Sequence, residues 1–439
     1  MVKTTAFFIY FINKICYNFI VKNNYNKIKI FIPYYPRLII NTLEKNGFDA
    51  YIVGGCVRDA LLNKKPDDYD ITTNAKPKDI KKVFKNTIDT GIKHGTVTVL
   101  FYENNIPKTY EVTTFRIDGE YDDSRHPKDV EFVDNLKEDL LRRDFTINAM
   151  AYSDDVGLVD EFNGLDDLKN KIVRAVGNPY ERFEEDALRL LRAVRFSAKL
   201  GFEIESKTVE AIKKLSNGLS KVSKERVEVE LSKTITSSNP IYVKKVFEFG
   251  LAKYICDGFD DIKIGRFEPN LSTHMAYACL LYNTNVEKAY NILRSLKLDN
   301  NNINKVKLLL LAKDLYDRIK HSNNTLEYIM SIKELIGLLT YELVYDFIRL
   351  IYINENDKIL VKKIESYIKE CEKTKCPIFI KDLEINGNDI MNIGFDGVEV
   401  GVVLRNIQKI VYKNRECNNK EKLMSLIKEA YINYKGGAV

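Results

Sequence analysis

The spacing of apolar residues differs between the first and the second part of this chain. The segment 37–46 has the three- and four-residue apolar spacing of a helix, and further short helices are predicted at 57–63 and 77–86. Short β-rich runs predict strands, the last two joined as a hairpin at 104–105. These predicted strands are 50–53, 69–72, 96–102 and 109–115. The chain up to about residue 150 is therefore predicted to be a small α/β unit whose sheet presents side chains at strand ends.

From about residue 165 onward the strand signals nearly vanish. The segments 183–202, 206–216 and 224–235 carry apolar residues three and four positions apart, as amphipathic helices do. We find neither a repeat of fixed period nor a long low-complexity linker. The second half is therefore predicted to be stacked helices with short loops, and 439 residues predict about two to four domains in all.

Composition narrows the class of protein. Hydrophobic residues at 45% and charged residues at 30% are the balance of a soluble globular protein. The formal net charge of +6 is mild and would attract a phosphate backbone only if it were concentrated on one face. None of the seven cysteines forms a CxxC pair, so a structural zinc site is not expected. With no evident secretion signal, we predict reduced thiols in a cytoplasmic protein.

The first 27 residues are predicted to be an N-terminal extension of unknown role. Residues 5–21 are apolar and aromatic, but the small-residue cleavage site of a signal peptide is not evident. Asn13 and Lys14 interrupt the run, which leaves it short of a membrane-spanning helix. An extension that packs on the surface or is disordered is the favoured interpretation. A misassigned start codon and a membrane-surface anchor are the alternatives, and the folded protein is expected to begin near residue 28.

The clearest chemical pattern follows the first predicted strand. Gly54 and Gly55 come directly after that strand, Arg58 follows them, and Asp68 and Asp70 fall on the next predicted strand. Residues i and i+2 of a strand share a face, so the two carboxylates are expected to point together. Paired carboxylates repel one another unless a cation lies between them, and Mg²⁺ prefers oxygen ligands. The pattern therefore predicts a magnesium site beside a glycine turn.

Phosphate binding is the natural partner of such a site. Glycines let backbone N–H groups approach phosphate oxygens, and Arg58 can clamp a phosphate by charge-assisted hydrogen bonds. Phosphoryl or nucleotidyl transfer needs a phosphate held beside a metal. Glu111, on the strand predicted at 109–115, is the candidate third carboxylate, and Asp67 on the opposite strand face is assigned no metal role. A DxD pair alone is weak, because an exposed acidic strand end also explains it.

The residues 51–73 resemble the head domain of class II tRNA nucleotidyltransferases and bacterial poly(A) polymerases. That superfamily has a polymerase-β-like nucleotidyltransferase fold, so the resemblance implies an α/β nucleotidyltransferase head followed by all-α neck, body and tail domains. Several long motifs in family order are far more specific than any one of them. The other segments that resemble family motifs are 88–99, 110–127, 138–152, 160–168, 182–196 and 383–423.

The resemblance implies a role for each matching residue. Asp68 and Asp70 match the metal-binding carboxylates, and Glu111 matches a third acidic residue whose role is the least defined. The triphosphate-binding turn is matched by Gly54, Gly55 and Arg58. Residues near the nucleotide sugar and triphosphate are matched by Arg143, Asp144 and Asn148. The polar loop 118–127 matches a loop that the family uses in the final addition of A, and Glu225, Arg226 and Glu230 match charges that stabilise neck helices.

Recognition of the base is implied for the motif that contains Glu185, Asp186 and Arg189. In the family the aspartate and arginine hydrogen-bond the Watson–Crick edge of the incoming base. An aspartate accepts from the amino group of cytosine or adenine, and an arginine donates to a ring nitrogen or carbonyl, so U and G would leave a buried charge unpaired. Without the resemblance, a salt bridge between Asp186 and Arg189 on one helix face is the simpler interpretation.

The expected domains, with the roles that the resemblance implies, are an extension, a nucleotidyltransferase head, a base-recognising neck, a body and a tRNA-binding tail. Their predicted ranges are 1–27, 28–165, 166–235, 236–310 and 311–439. In the tail, exposed basic residues are expected to add charge for RNA, although a solvated helix face explains such a cluster equally well. These basic residues are Lys409, Lys413, Arg415, Lys420 and Lys422. His274 is expected at a helix start, without a metal.

The implied activity is template-independent addition of CCA to the 3′ end of tRNA from CTP and ATP, by two-metal nucleotidyl transfer with Mg²⁺ as cofactor. Partners are tRNA and the two nucleotides; no membrane and no obligate protein partner are expected. A-adding or CC-adding enzymes and a bacterial poly(A) polymerase are alternatives within the family. A non-catalytic RNA-binding module is the alternative of another class, which the intact Asp68, Asp70 and Glu111 disfavour.

Overall fold

The computed structural model describes residues 28–119 and 130–436. It divides into two compact units, Met1–Asp257 and Gly258–Val439. The predicted N-terminal extension and most of the polar loop predicted at 118–127 lie outside the described residues. The domain boundaries expected from the sequence remain predictions. In the part of the chain described, none of the helices combines the length and the apolar character needed to cross a membrane.

A mixed sheet of seven strands forms the centre of the first unit. The strands of this unit are β1 Ala50–Val53, β2 Asp70–Thr73, β3 Thr87–Gly91, β4 Thr96–Glu103, β5 Ile106–Thr114, β6 Arg116–Asp118, β7 Val130–Phe132, β8 Met150–Ser153, β9 Gly157–Asp160, β10 Ile172–Val173 and β11 Glu203–Ile204. The strand order of the sheet is β3-β4-β5-β2-β1-β8-β9, with β2 and β5 parallel and every other neighbouring pair antiparallel. Two small pairs, β6 with β7 and β10 with β11, lie outside this sheet.

The predicted hairpin is confirmed, with β4 and β5 paired through Glu103 and Ile106. Asn104 and Asn105 form its two-residue turn with φ of 51° and 63°. Positive φ at both positions is what the right-handed twist of paired strands requires, and asparagine tolerates it better than most residues. The strand predicted at 69–72 begins one residue later, at Asp70. Asp68 therefore precedes the strand, and the argument that strand alternation aligns it with Asp70 was wrong.

Helices pack against this sheet, and further helices form the rest of the first unit. The first one buries Ile39, Ile40 and Leu43 at helical spacing, which is why the segment forms a helix. The sixth and seventh are separate helices, because the chain between them is extended at Asp186, with φ −141° and ψ 101°. The helices of this unit are α1 Tyr34–Lys45, α2 Gly55–Leu61, α3 Pro77–Val83, α4 Leu136–Leu141, α5 Gly164–Lys169, α6 Pro179–Glu185, α7 Leu188–Leu200, α8 Ser206–Leu215, α9 Lys224–Ile235 and α10 Lys244–Glu248.

The described part of the second unit is helical, as predicted for the second half of the chain. The longest helix contains one non-helical residue, Thr340, where two helical stretches meet at a kink. A separate hydrophobic cluster near the C-terminus includes Ile390, Val411 and Leu423. The helices are α11 Thr273–Leu280, α12 Val286–Ser295, α13 Asn300–Leu311, α14 Lys313–Lys320, α15 Thr325–Glu355, α16 Lys358–Lys373, α17 Gly387–Met391, α18 Gly397–Lys413 and α19 Lys420–Gly436.

His274 lies at the start of α11, as predicted, and its Nε2 is 2.7 Å from Asp346 Oδ2.

A buried ion-pair network joins the sheet side of the first unit to its helices. Asp144, which is 8% exposed, accepts two hydrogen bonds at Oδ2 from Arg192 of α7, at 2.9 and 2.6 Å. Arg192 also lies 3.6 Å from Glu230 of α9, which pairs with Arg195 at 2.6 Å. Glu230 is 4% exposed, so both carboxylates depend on these guanidinium groups for compensation of their charge.

The ion pair controls the ionisation of Asp144. Burial opposes the charged carboxylate, but Arg192, together with a hydrogen bond from Asn148, outweighs it and holds the pKa at about 2 instead of the ordinary 3.8. A carboxyl group whose pKa is lower in the folded state stabilises the fold fully above its unfolded pKa, and that contribution disappears as the pH falls through the folded pKa.

We therefore predict that Asp144→Asn lowers the free energy of unfolding by on the order of 2 kcal/mol near neutral pH, because Arg192 loses its buried partner. The deficit relative to the wild type should persist down to about pH 4 and shrink as the pH approaches 2. Urea unfolding of both proteins at a series of pH values measures it. An exposed carboxylate, Asp155→Asn, is the control. A deficit that does not change with pH would contradict the assignment to the ionised carboxylate.

Candidate active site

One cavity of about 520 Å³ in the first unit brings together nearly all the residues singled out in the sequence. It is formed where β1, β2, α2 and α7 approach one another. The predicted residues that line it are Gly54, Gly55, Arg58, Asp68, Asp70, Arg143, Asp144, Asn148, Asp186 and Arg189. Glu111 is absent from the lining, and so is Asp67, for which no metal role was predicted.

Asp70 begins β2, and Asp68 lies two residues before it in irregular chain. Both side chains are exposed to the cavity. Surrounding protein still desolvates Asp70, and this effect, followed by repulsion from Asp68, raises its pKa although Arg143 acts in the opposite direction. A carboxylate with a raised pKa and a like-charged neighbour is stabilised by an added cation. The pair therefore fits a hard divalent ion, which prefers carboxylate oxygens.

Glu111 lies on β5, next to the strand that carries Asp70. The parallel register pairs Ile71 with Val112, which places the preceding residues, Asp70 and Glu111, side by side. Glu111 contributes to the raised pKa of Asp70. Among the described residues, however, no three His, Cys, Asp or Glu side chains are grouped closely enough to hold a metal ion. The structure thus places Asp68 and Asp70 in the lining of the cavity, whereas Glu111 lies on the adjacent strand outside that lining.

The glycine turn lies between β1 and α2. Gly54 has φ +80° and ψ −125°, and its N–H donates to Met150 O at 3.0 Å. A Cβ at this position would lie 3.0 Å from Arg143 Nη1, so a larger residue would be strained and would push the guanidinium away. The turn therefore needs glycine for its backbone conformation and for the close approach of Arg143.

Arg58 contacts protein groups on both sides of the turn. Its side chain is 3% exposed, donating to Asn148 Oδ1 at 2.6 Å and to Asp59 Oδ1 at 2.8 Å. Asn148 in turn donates to Asp144 Oδ1 at 3.0 Å. Arg58 therefore orders the turn through Asn148 and Asp144, and its phosphate contact remains a prediction.

Asp139 holds the arginines that face the carboxylate pair. It is fully buried and accepts hydrogen bonds from Arg142 at 3.0 and 2.7 Å and from Arg143 at 3.3 Å. Its Oδ2, the oxygen that accepts from Arg143, also accepts from Thr72 of β2, at 3.1 Å, whereas Arg142 donates to Oδ1. Burial opposes its ionisation, but the two arginines lower the pKa of Asp139 below its ordinary value. One carboxylate thus fixes Arg142 and Arg143 relative to the strand that carries Asp70.

Asp186 and Arg189 line the cavity from the junction of α6 and α7. Asp186 accepts from Arg226 at 2.8 Å and from the backbone N–H of Leu188 at 3.0 Å. Arg189 donates to Glu185 at 2.6 Å and to two backbone oxygens, those of Arg182 and Arg142, at 2.8 and 3.0 Å. Since Asp186 lies outside both helices, the two side chains do not form the simple pair on one helix face that an isolated motif suggests.

Several lining residues were missed by the sequence analysis. Arg192, Arg195 and Lys199 of α7 face the cavity, and Phe196 lies among cations, with the Arg195 guanidinium 4.1 Å from its ring centroid. The signal that would have found them is the three-residue spacing of arginines along α7. Arg226, expected to stabilise the neck helices, also fixes Asp186 from α9.

Two models of known protein families match parts of this chain. The description "Poly A polymerase head domain" belongs to a family model that matches residues 50–174. A second model, "Probable RNA and SrmB- binding site of polymerase A", matches residues 201–262. The carboxylates, the glycine turn and Asp144 fall within the first match, whereas Asp186 and Arg189 lie between the two.

Individual relatives extend the similarity to almost the whole chain. The CCA-adding enzyme of Pediococcus pentosaceus is 50% identical over 226 residues, which are 51% of this chain and 56%, or just over half, of that enzyme. The CCA-adding enzyme of Ligilactobacillus salivarius is 36% identical over 414 residues, covering 89% of this chain and 95% of the relative. The crystal structure of the Bacillus stearothermophilus CCA-adding enzyme in complex with CTP is 28% identical, with a TM-score of 0.73, and covers 92% of this chain and 100% of that one. The chain therefore belongs to the CCA-adding enzymes of the poly(A) polymerase family.

Proposed function

We propose that this protein adds C, C and A, without a nucleic-acid template, to the 3′ end of tRNA, using CTP and ATP. The observation that carries the proposal is a single cavity lined by a carboxylate pair, a glycine turn and the Asp186–Arg189 motif. Nucleotidyl transfer needs these three elements close together, because one nucleotide spans metal, phosphates and base. The relatives named as CCA-adding enzymes supply the identity of the added bases.

In this proposal the triphosphate lies along the glycine turn. The Gly55 N–H approaches its oxygens, Gly54, whose N–H donates to Met150 O, sets the turn, and Arg143, held by Asp139, supplies positive charge beside Asp70. Arg58 and Asn148 keep the turn in register with Asp144, whose own charge Arg192 compensates. Preorganised donors of this kind stabilise charge on a transferring phosphate without a cost of reorganisation during the reaction.

Asp68 and Asp70 would hold the metal, for which we propose Mg²⁺. A divalent ion held by these two carboxylates would act as a Lewis acid, supplying positive charge where negative charge develops on the attacking and leaving oxygens. Glu111, adjacent to Asp70 in the sheet register, would add negative charge behind the pair. Arg142 and Arg143 then limit the repulsion between this acidic group and the incoming triphosphate.

Selection of the base is proposed for Asp186 and Arg189. Arg226 and the Leu188 N–H fix the Asp186 carboxylate, which has about four acceptor positions and can accept further from an amino group. Arg189 has its guanidinium plane set by Glu185 and backbone oxygens. Cytosine and adenine both offer an amino donor to such an acceptor, whereas uracil and guanine place a carbonyl oxygen at the matching position and leave the acceptor unpaired, which costs binding energy.

The remaining domain roles are proposed from the expected ranges, with 28–165 as head, 166–235 as neck, 236–310 as body and 311–439 as a tail that binds tRNA. The basic residues of the tail are exposed, as a phosphate-binding face requires. Some of them already have protein partners, since Lys420 pairs with Asp389 and Arg415 donates to Thr374 O. The cytoplasmic location expected from the cysteines remains a prediction.

The first test is nucleotide incorporation by the purified protein with Mg²⁺. Three tRNA transcripts are supplied, ending before CCA, after the first C and after CC, each with single nucleotides and with CTP plus ATP. We expect ordered addition of C, C and A that then stops, with UTP and GTP incorporated at a rate lower by about a hundredfold or more. Sequencing of the products and gel analysis measure both results.

Each other outcome identifies a different activity. A-only addition to the CC-ended transcript, C-only addition, or an unlimited A tail would replace the proposal with the corresponding relative. No incorporation on any of the three transcripts, together with retained tRNA binding, would instead support a non-catalytic RNA-binding module.

A second prediction concerns the carboxylates. Asp68→Ala and Asp70→Ala should each lower the rate of addition by roughly a thousandfold, since metal-assisted stabilisation of the transition state contributes several kcal/mol. Binding of tRNA, measured by filter retention, should stay within about threefold, because neither change touches the proposed tail. Asp67→Ala is a matched control, since Asp67 is exposed and does not line the cavity. Activity retained in Asp70→Ala, or lost equally in Asp67→Ala, would overturn the metal assignment.

A further inference from the structure

Two cysteines occupy the two ends of a helix cap in the second unit. Helix α16 ends at Lys373, and Lys375 beyond it has φ +49°. The Cys376 N–H donates to Cys371 O at 3.0 Å, and the Lys375 N–H donates to Glu372 O at 3.2 Å. These two bonds define a Schellman motif, which regularly brings the side chains at its first and last positions together. Here those two positions are Cys371 and Cys376.

The two thiols differ in access. Cys371 is 3% exposed, whereas Cys376 is half-buried and lines a cavity of about 610 Å³. Lys375, Lys381 and Arg415 border the same cavity. A small solute in this cavity can therefore reach Cys376 before it reaches the more deeply buried Cys371. This is the arrangement of an attacking thiol and a resolving thiol.

Charged and titratable groups on several elements favour the thiolate of Cys376. Interaction with the Cys371 thiol, together with the charges of Lys333 of α15 and Arg415, lowers the pKa of Cys376 below its ordinary value, although partial burial opposes this. The same interaction raises the pKa of Cys371. Lys333 is 7% exposed and donates to Tyr412 O at 2.8 Å, which fixes its ammonium group in the interior. The other groups facing the two thiols are Tyr341, Tyr367, Glu372, Asp382 and Tyr412.

The isolated thiols of the described chain are different. Burial raises the pKa of Cys56 and of Cys279 to about 12, and that of Cys256 to about 11. A thiol with a raised pKa is almost fully protonated at neutral pH and reacts slowly with oxidants. The pair at the end of α16 is therefore chemically distinct from these three.

We propose that Cys376 and Cys371 form a reactive dithiol that a peroxide oxidises to an intramolecular disulfide. The Cys376 thiolate attacks one peroxide oxygen, so an S–O bond forms, the O–O bond breaks, and the leaving hydroxide takes up a proton as water. The Cys371 thiol then attacks the sulfenic sulfur, so the S–S bond forms, the S–O bond breaks, and a second water leaves with the Cys371 proton. Two thiols and hydrogen peroxide thus yield one disulfide and two waters.

Oxidation changes the charge of this part of the molecule. The reduced pair carries a thiolate beside Lys333 and Arg415, and the disulfide carries no charge. The cavity bordered by Lys375, Lys381 and Arg415 therefore becomes more positive when the pair is oxidised. Small thiols reverse the reaction by exchange, so the pair reports the local balance of peroxide and reductant.

The test uses the full-length protein. After treatment with hydrogen peroxide and blocking of remaining thiols, peptide mapping without reductant should show a Cys371–Cys376 crosslink with a loss of about 2 Da, as disulfide formation requires. Alkylation of Cys376 in the untreated protein should be half-maximal at a lower pH than that of Cys256 and, at neutral pH, faster by about tenfold or more, because a larger fraction of Cys376 is thiolate.

Matched variants separate the two roles. Cys371→Ser should stop at a sulfenic acid on position 376 that a dimedone probe traps, because no resolving thiol is present. Cys376→Ser should give no crosslink. Cys417 is another half-buried thiol, in a 3₁₀ turn, and Cys417→Ser should behave as the wild type. Absence of the crosslink in the wild type while other cysteines are oxidised, or a crosslink from Cys376 to Cys417, would overturn the proposal. The wild-type map decides this even if a variant fails to fold.

Discussion

The candidate site depends on the buried ion pair between Asp144 and Arg192. Asp144 follows α4 and orients Asn148, which in turn holds Arg58 beneath the glycine turn. Arg192 belongs to α7 and reaches Glu230 of α9. A buried charge without its partner costs several kcal/mol, so sheet, turn and helices are held in one arrangement by the requirement that each charge be compensated. The geometry of the proposed phosphate-binding side and that of the proposed base-binding side are therefore coupled through one pair of residues.

The site also contains carboxylates that repel one another. The carboxylates of Asp68 and Asp70 lie at the start of the central strand β2, with Glu111 on the neighbouring strand, and desolvation followed by repulsion from Asp68 raises the pKa of Asp70. This arrangement stores unfavourable electrostatic energy that a bound cation releases. Nearby, the buried carboxylate of Asp139 attracts two guanidinium groups, those of Arg142 and Arg143. Negative and positive groups thus lie in adjacent zones of one cavity, in the order in which a metal-bound triphosphate needs them.

Much of this was accessible from the sequence, because local patterns determine it. Strand β1 and the hairpin turn at Asn104 and Asn105 were predicted correctly, since backbone preference and residue type agree there. Long motifs in order indicated the family, and one cavity gathers ten of the eleven predicted site residues. The alignment of Asp68 with Asp70 was reached by an incorrect argument, since Asp68 precedes the strand. Contacts between distant segments, such as Arg226 with Asp186, could not be predicted because no local pattern encodes them.

The strand order has a consequence for how the protein is made. The cavity takes residues from Gly54 through Arg226, and β1 lies between β2 and β8, which follows it by almost one hundred residues. Such non-local pairing cannot be completed while the later strand is still inside the ribosome. The counterion network needs Glu230 as well. A nascent chain therefore has no complete site until more than half of it has been synthesised, and truncated products of translation would be unable to compete with the finished protein for nucleotides.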